Sequence, residues 1–193
     1  MFSDLLKTRV RHDVQPIGLA LAGLGLSPNA ISFVGFLLNS IVAVVLATGH
    51  LTLAGVLLLP VAAFDVLDGA VARATGRTTR FGAFLDSTLD RYEEAVLLVA
   101  VLIVYAPLGD ALINSAIFAA LIGSFMVSYT RARAEGLGMR CEVGIAPRPE
   151  RIIIMAIGLV FGLIIPALWL LAVLSNLTAV QRMLHVWKAT RRE

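Results

Sequence analysis

Long apolar runs broken by short polar or Gly/Pro-containing stretches set the pattern of this chain. The runs predict helices over 30–48, 52–75, 82–106, 110–134, 151–166 and 168–188. Most approach the roughly 20 residues needed to cross a hydrocarbon core. The fifth is short for a span and has room to begin earlier, in the turn at Pro149. Ahead of the first run, Lys7, Arg9, Arg11 and Asp13 alternate with Leu5, Leu6, Val10, Val14 and Ile17. That alternation predicts an amphipathic helix over 2–24, lying on a membrane surface. The expected fold is an all-α integral membrane protein, a single domain over 1–193 with a six-helix transmembrane bundle over 30–188 and an N-terminal amphipathic interfacial helix.

Composition agrees. A chain of 193 residues that is 59% hydrophobic, with mean hydropathy +0.88, is not a soluble domain. No cleavable apolar leader is visible in the first twenty residues. All sixteen Lys and Arg residues fall in the N-terminal segment, around 73–91, in the 131–151 region or in the tail from Arg182. The connections at Gly49-His50, Pro107–Asp110 and Pro166 carry none. With six spans, the basic segments share one side, so the positive-inside rule places both termini toward the cytoplasm of a plasma-membrane protein. The net charge of +3 follows from this asymmetry and is no sign of nucleic-acid binding. The single cysteine, Cys141, excludes an intramolecular disulfide and a cysteine-based metal site.

Four aspartates break the apolar pattern where a charge is costly. Asp65 and Asp68 are three residues apart, and Asp86 and Asp90 are four apart, so each pair shares a helix face. A charge at membrane depth costs at least about 2.5 kcal/mol unless paired or metal-bound. Two such faces turned together make an all-oxygen cluster suited to a hard divalent cation, Mg²⁺ or Mn²⁺. A salt-bridge network with Arg73 and Arg91 is the alternative use of the same charges.

The frame Asp65-x-x-Asp68-Gly69-x-x-Ala72-Arg73, eight residues, then Gly82-x-x-x-Asp86-x-x-x-Asp90 resembles the signature of the CDP-alcohol phosphotransferases. All eight defining positions are present. The resemblance implies an integral membrane enzyme that joins a CDP-activated group to an alcohol and releases CMP, with two bound ions. It implies Asp65, Asp68 and Asp86 as chief metal ligands, and Asp90 as edge ligand and general base for the acceptor hydroxyl. Gly69 and Gly82 then leave room for the nucleotide of a CDP-lipid, CDP-diacylglycerol or CDP-archaeol; helix packing is their other use. Arg73 suits bidentate contact with the pyrophosphate. Asn29 and Ser32 resemble the family's Pro-Asn element facing the nucleotide, while a plain helix start capped by Ser27 or Asn29 fits the same residues. A homodimer is also implied.

Tyr129-Thr130-Arg131-Ala132-Arg133-Ala134-Glu135 and the Pro147-Arg148-Pro149-Glu150-Arg151 run resemble the branch that uses inositol phosphate, the phosphatidylinositol-phosphate and archaetidylinositol-phosphate synthases. Arg131 stands where that branch often has Lys. In that resemblance Arg131, Arg151 and Arg182 hold the acceptor's phosphate; cytoplasmic helix ends are also Arg-rich for reasons of topology alone. Glu94, one turn past Asp90, is placed to support the site by a hydrogen bond. Ser175, Asn176 and Thr178 suit bonds between helices, and Trp169 and Trp187 suit interfacial anchors. A glycerol 3-phosphate acceptor, as in a phosphatidylglycerol-phosphate synthase, is the nearest alternative. A divalent-cation transporter would need polar groups continuing toward the outer side, where the spans are almost purely apolar.

Overall fold

The computed structural model describes residues 27–74 and 79–191, and of residues 66–74 the backbone alone. The amphipathic helix expected over 2–24 lies outside the described residues, as do the side chains of Asp68 and Arg73 and the surroundings of Gly69. Among the described residues there are six α-helices and no strand: α1 (Pro28–Ala47), α2 (Leu51–Ala74), α3 (Arg80–Tyr105), α4 (Ala111–Gly136), α5 (Arg148–Val160) and α6 (Ile164–Thr190). The first four match the apolar runs to within two residues at each end.

The last two differ. The turn expected at Pro166 instead falls at Phe161–Leu163, where Gly162 takes a left-handed φ of +68° that costs a glycine little. Pro166 sits in the first turn of α6, where its missing N–H has no intrahelical acceptor to lose. Helix α5 begins at Arg148 behind Pro147 and holds 13 residues. At 1.5 Å per residue it is about 20 Å long, well short of a hydrocarbon core of about 30 Å. Helices α1, α4 and α6 are long and apolar enough to cross a membrane, and the stretch Leu51–Asp65 of α2 is a shorter apolar segment.

Helix starts follow local chemistry. Ser27 caps α1 by accepting the Ala30 N–H at 3.2 Å, so Ser27, not Asn29, is the cap. Thr79 does the same for α3, taking the Gly82 N–H at 2.9 Å. Asp110 caps α4, accepting from Leu112 and Ile113 at 2.8 and 3.2 Å.

The chain forms two compact units. One comprises the described residues up to Ile41 with Pro60–Glu93; the other comprises Val42–Leu59 with the chain from Glu94 onward. In the second unit, Leu46, Leu58, Val101, Ile117, Leu159, Ile164 and Leu168 are fully buried. Helices α4 and α6 pack through Gly123, where an added Cβ would lie 2.7 Å from both Ser175 Cβ and Asn176 Nδ2. Asn176 spans the interface by donating to the Ala119 carbonyl at 3.0 Å, as expected of it, while also donating to Ala172 in its own helix. Thr178 turns to the α4–α5 loop instead, accepting the Ala146 N–H at 3.1 Å. Ser175 is fully buried and its hydroxyl finds no hydrogen-bond partner among the described residues.

Phe33, Ile41, Val44, Ile103, Leu112, Ile122, Phe161 and Val173 are exposed, a surface that only an apolar solvent covers without penalty. Trp169 and Trp187 are both exposed on α6, about 27 Å apart along its axis by helical rise. Arg191 lies 4.0 Å over the Trp187 ring.

The close contact at Gly123 sets an expectation for stability. Gly123→Ala should lower it by about 1–3 kcal/mol, because the new methyl overlaps α6. Gly136→Ala, with nothing within 4 Å, should be neutral or stabilising by less than about 1 kcal/mol. Thermal unfolding of both variants in detergent checks the contrast.

Candidate active site

In the first unit, Asp65 from α2 meets Asp90 and Glu93 from α3. One carboxylate oxygen from each lies within 4.8 Å of the others. Asp65 reaches this place because α1 passes close by: an added Cβ at Gly35 would fall 2.5 Å from Asp65 Oδ1. Glu93 is only 3% exposed. Two like charges 4.8 Å apart at an effective dielectric of about 20 repel by roughly 3 kcal/mol, which neighbouring positive charge offsets. Arg91 Nη1 supplies some, 3.4 Å from Asp90 Oδ2, while donating a short bond to the Ser87 carbonyl.

The donor set fits a hard divalent cation. All three groups are carboxylates, and oxygens on opposite sides of an octahedral Mg²⁺ are about 4.2 Å apart, close to the observed spread. Asp86 lies one turn before Asp90 on α3, outside this group of three. Glu93 is the residue that the aspartate frame misses. The signal was there: Asp86, Asp90 and Glu93 stand at i, i+4 and i+7, one stripe of a helix.

Two further predicted residues meet in the same unit. An added Cβ at Gly82 would lie 3.0 Å from Asn29 Oδ1 and 3.0 Å from Thr79 Oγ1. The absent side chain at the start of α3 is therefore what admits the Asn29 amide of α1. Ser32 donates to the Pro28 carbonyl at 3.2 Å.

In the second unit the three arginines expected to bind phosphate have different surroundings. Arg131 is exposed near the end of α4 and pairs with Glu135 at 2.7 Å. Arg182 on α6 is 4% exposed and donates to the carbonyls of Val143 and Val127 at 2.8 and 2.5 Å. Arg151 on α5 is 4% exposed and pairs with Glu94 at 2.5 Å, with a further bond to the Ala146 carbonyl. The loop between α4 and α5 is thus pinned by two buried guanidiniums. It is pressed against α6 at Gly144, where the φ of +143° disfavours a side chain and an added Cβ would fall 2.5 Å from Thr178 Cγ2.

Fold and site together define a membrane-embedded helical protein with an acidic centre and a separate set of buried cations. The sequence profile of the CDP-alcohol phosphatidyltransferase family matches residues 25–187, and the chain belongs to that family. It is 40% identical to the archaetidylinositol phosphate synthase of Pyrococcus horikoshii, over 97% of this chain and 96% of that one. The crystal structure of Mycobacterium tuberculosis phosphatidylinositol phosphate synthase with CDP-DAG bound is similar, with a TM-score of 0.84 and 34% identity, covering 90% of this chain and 93% of that one. The same mycobacterial enzyme in complex with manganese and citrate gives a TM-score of 0.82 at 33% identity, covering 90% of this chain and 88% of that one.

Gly35→Ala tests the local geometry. The methyl should displace the Asp65 carboxylate, which can swing aside cheaply, so the fold should survive. Mn²⁺ affinity, read by electron paramagnetic resonance titration, should fall by about tenfold or more.

Proposed function

We propose that this protein transfers a phosphatidyl or archaetidyl group from a CDP-lipid to inositol phosphate, releasing CMP. What carries the reading is the carboxylate group on the two motif-bearing helices, in a chain similar from end to end to an archaetidylinositol phosphate synthase. Asp65, Asp68, Asp86 and Asp90 hold the divalent cations, with Glu93 beside them. Mg²⁺ or Mn²⁺, when bound, supplies positive charge to the pyrophosphate oxygens during displacement.

The chain's own residues do the rest. Asn29, Ser32, Gly69 and Gly82 form the nucleotide's seat, and Arg73 holds the pyrophosphate with its planar fork. Asp90 takes the proton of the acceptor hydroxyl as that oxygen attacks the lipid-proximal phosphorus; the bond to the CMP oxygen breaks and CMP leaves. Arg131, Arg151 and Arg182 hold the acceptor phosphate, and positioning supplies most of the rate. The protein works as a single domain of six membrane helices, of which α5 is too short to cross a full hydrocarbon core alone, with an interfacial N-terminal helix, as a homodimer in the plasma membrane, its site facing the cytoplasm. The distribution of Lys and Arg supports that orientation.

An acceptor panel with purified protein, CDP-diacylglycerol or CDP-archaeol and Mg²⁺ tests the function. CMP release should be fast with inositol phosphate and poor with free inositol, and it should vanish with a chelator and return with Mg²⁺ or Mn²⁺. Asp65→Asn, Asp68→Asn and Asp86→Asn should each remove most turnover. Arg131→Ala should raise the acceptor KM about ten- to a hundredfold, the effect of one charged hydrogen bond. Preference for glycerol 3-phosphate would move the assignment to that acceptor, and efficient use of free inositol would overturn the phosphate pocket.

A further inference from the structure

The Glu94–Arg151 pair has a geometry that a surface ion pair lacks. Glu94 Oε1 accepts from two nitrogens of one guanidinium, Nε at 3.1 Å and Nη2 at 2.5 Å. Nη1 donates to the Ala146 carbonyl at 2.9 Å. A guanidinium carries five N–H groups in one plane. Three are engaged here from two directions, which fixes the plane, and among the described residues two have no partner, one on each terminal nitrogen. Arg151 is 4% exposed and the Glu94 side chain 11%. Leu97, Leu98, Met155 and Leu171 line the cavity beside the pair, so little water competes with it.

We infer that Glu94 is a positioning residue for acceptor recognition: it occupies the side-on edge of Arg151 and directs the two remaining N–H groups to the acceptor's phosphate. The inference rests on the proposed role of Arg151 as a phosphate ligand. The phosphate then displaces no existing bond, and the guanidinium is oriented before it arrives, which reduces the entropy cost of binding. The Ala146 carbonyl performs the same service from the other side. The α4–α5 loop, held to α6 through Arg182 and Thr178, is the fixed point against which Arg151 is set.

The test is steady-state kinetics on the full chain in lipid–detergent micelles, with CDP-diacylglycerol, Mg²⁺ and inositol phosphate. Glu94→Gln keeps an oxygen that both N–H groups can reach but loses the charge; it should raise the KM for inositol phosphate about tenfold and leave kcat and the KM for CDP-diacylglycerol within about twofold. Glu94→Ala should raise it further, and Glu94→Asp should recover part of the loss. In an Arg151→Ala background, or Arg151→Lys where the alanine variant does not fold, removing the Glu94 carboxylate should add less than about twofold, since its action runs through the guanidinium. Where Glu94→Ala does not fold, Glu94→Gln decides. Equal fold-effects of Glu94→Gln in both backgrounds, or a fall in kcat with the acceptor KM unchanged, overturn the positioning role. An unchanged acceptor KM in Arg151→Ala removes Arg151 from the pocket and the inference with it. Should glycerol 3-phosphate prove the better acceptor, the same KM shift is expected with that substrate, because the phosphate is the group being held.

Discussion

Repulsion among carboxylates is the constraint around which the first unit is built. Asp65, Asp90 and Glu93 bring oxygens within 4.8 Å of one another, with Glu93 almost wholly out of solvent. Ionised, such a group needs neighbouring positive charge or hydrogen-bond donors, and Arg91 beside Asp90 is one of them. The neighbouring sequence choices serve that arrangement. Gly35 removes the methyl that would strike Asp65, and Gly82 removes the one that would strike Asn29. In both cases a glycine on one helix gives up packing so that a polar group from another can approach a backbone.

The second unit solves the opposite problem, burying cations. Arg151 and Arg182 are each 4% exposed, and neither is left uncompensated. Arg182 is held by two carbonyls, Arg151 by a carboxylate and a carbonyl. A buried charge is tolerated only when its hydrogen-bonding capacity is largely met. Both arginines meet part of that need with the loop between α4 and α5, at Val143 and Ala146. The loop gains order from the arginines, and the arginines gain fixed orientation from the loop. Arg131, exposed and paired within its own helix, lacks such a constraint and is the adaptable member of the three.

Much of this could be read from the chain. Apolar runs located six helices, because lipid-facing and packed faces are both apolar and leave long uninterrupted signals. The apolar runs put the α5–α6 connection at Pro166, but proline is tolerated in a first turn and the turn rests on Gly162. Fixed spacing found Asp65 and Asp90. Glu93 escaped because it falls outside that spacing while sharing the helical stripe. Gly35 carries no pattern at all: a glycine inside an apolar span reads as packing, and only the tertiary contact shows that it faces a carboxylate. The partnership of Glu94 with Arg151 joins residues 57 positions apart, and no local periodicity encodes it.

The arginines also show why residue type alone did not define their role. Cytoplasmic helix ends collect arginine for topological reasons, so a basic cluster there is ambiguous as sequence. Burial separates the cases. An arginine present only to orient the protein in the membrane has no reason to be drawn out of water and given a carboxylate and loop carbonyls as partners. The cost of desolvating Arg151 and Arg182 is justified only if their orientation matters or if the loop must be fixed. With three N–H groups of Arg151 held by Glu94 and Ala146, one side chain fixes both its own plane and the loop, and under the proposed phosphate role the structural and recognition uses of this position are not alternatives. Removing its partner should therefore disturb recognition before it disturbs the fold, since the Ala146 bond remains to hold the loop.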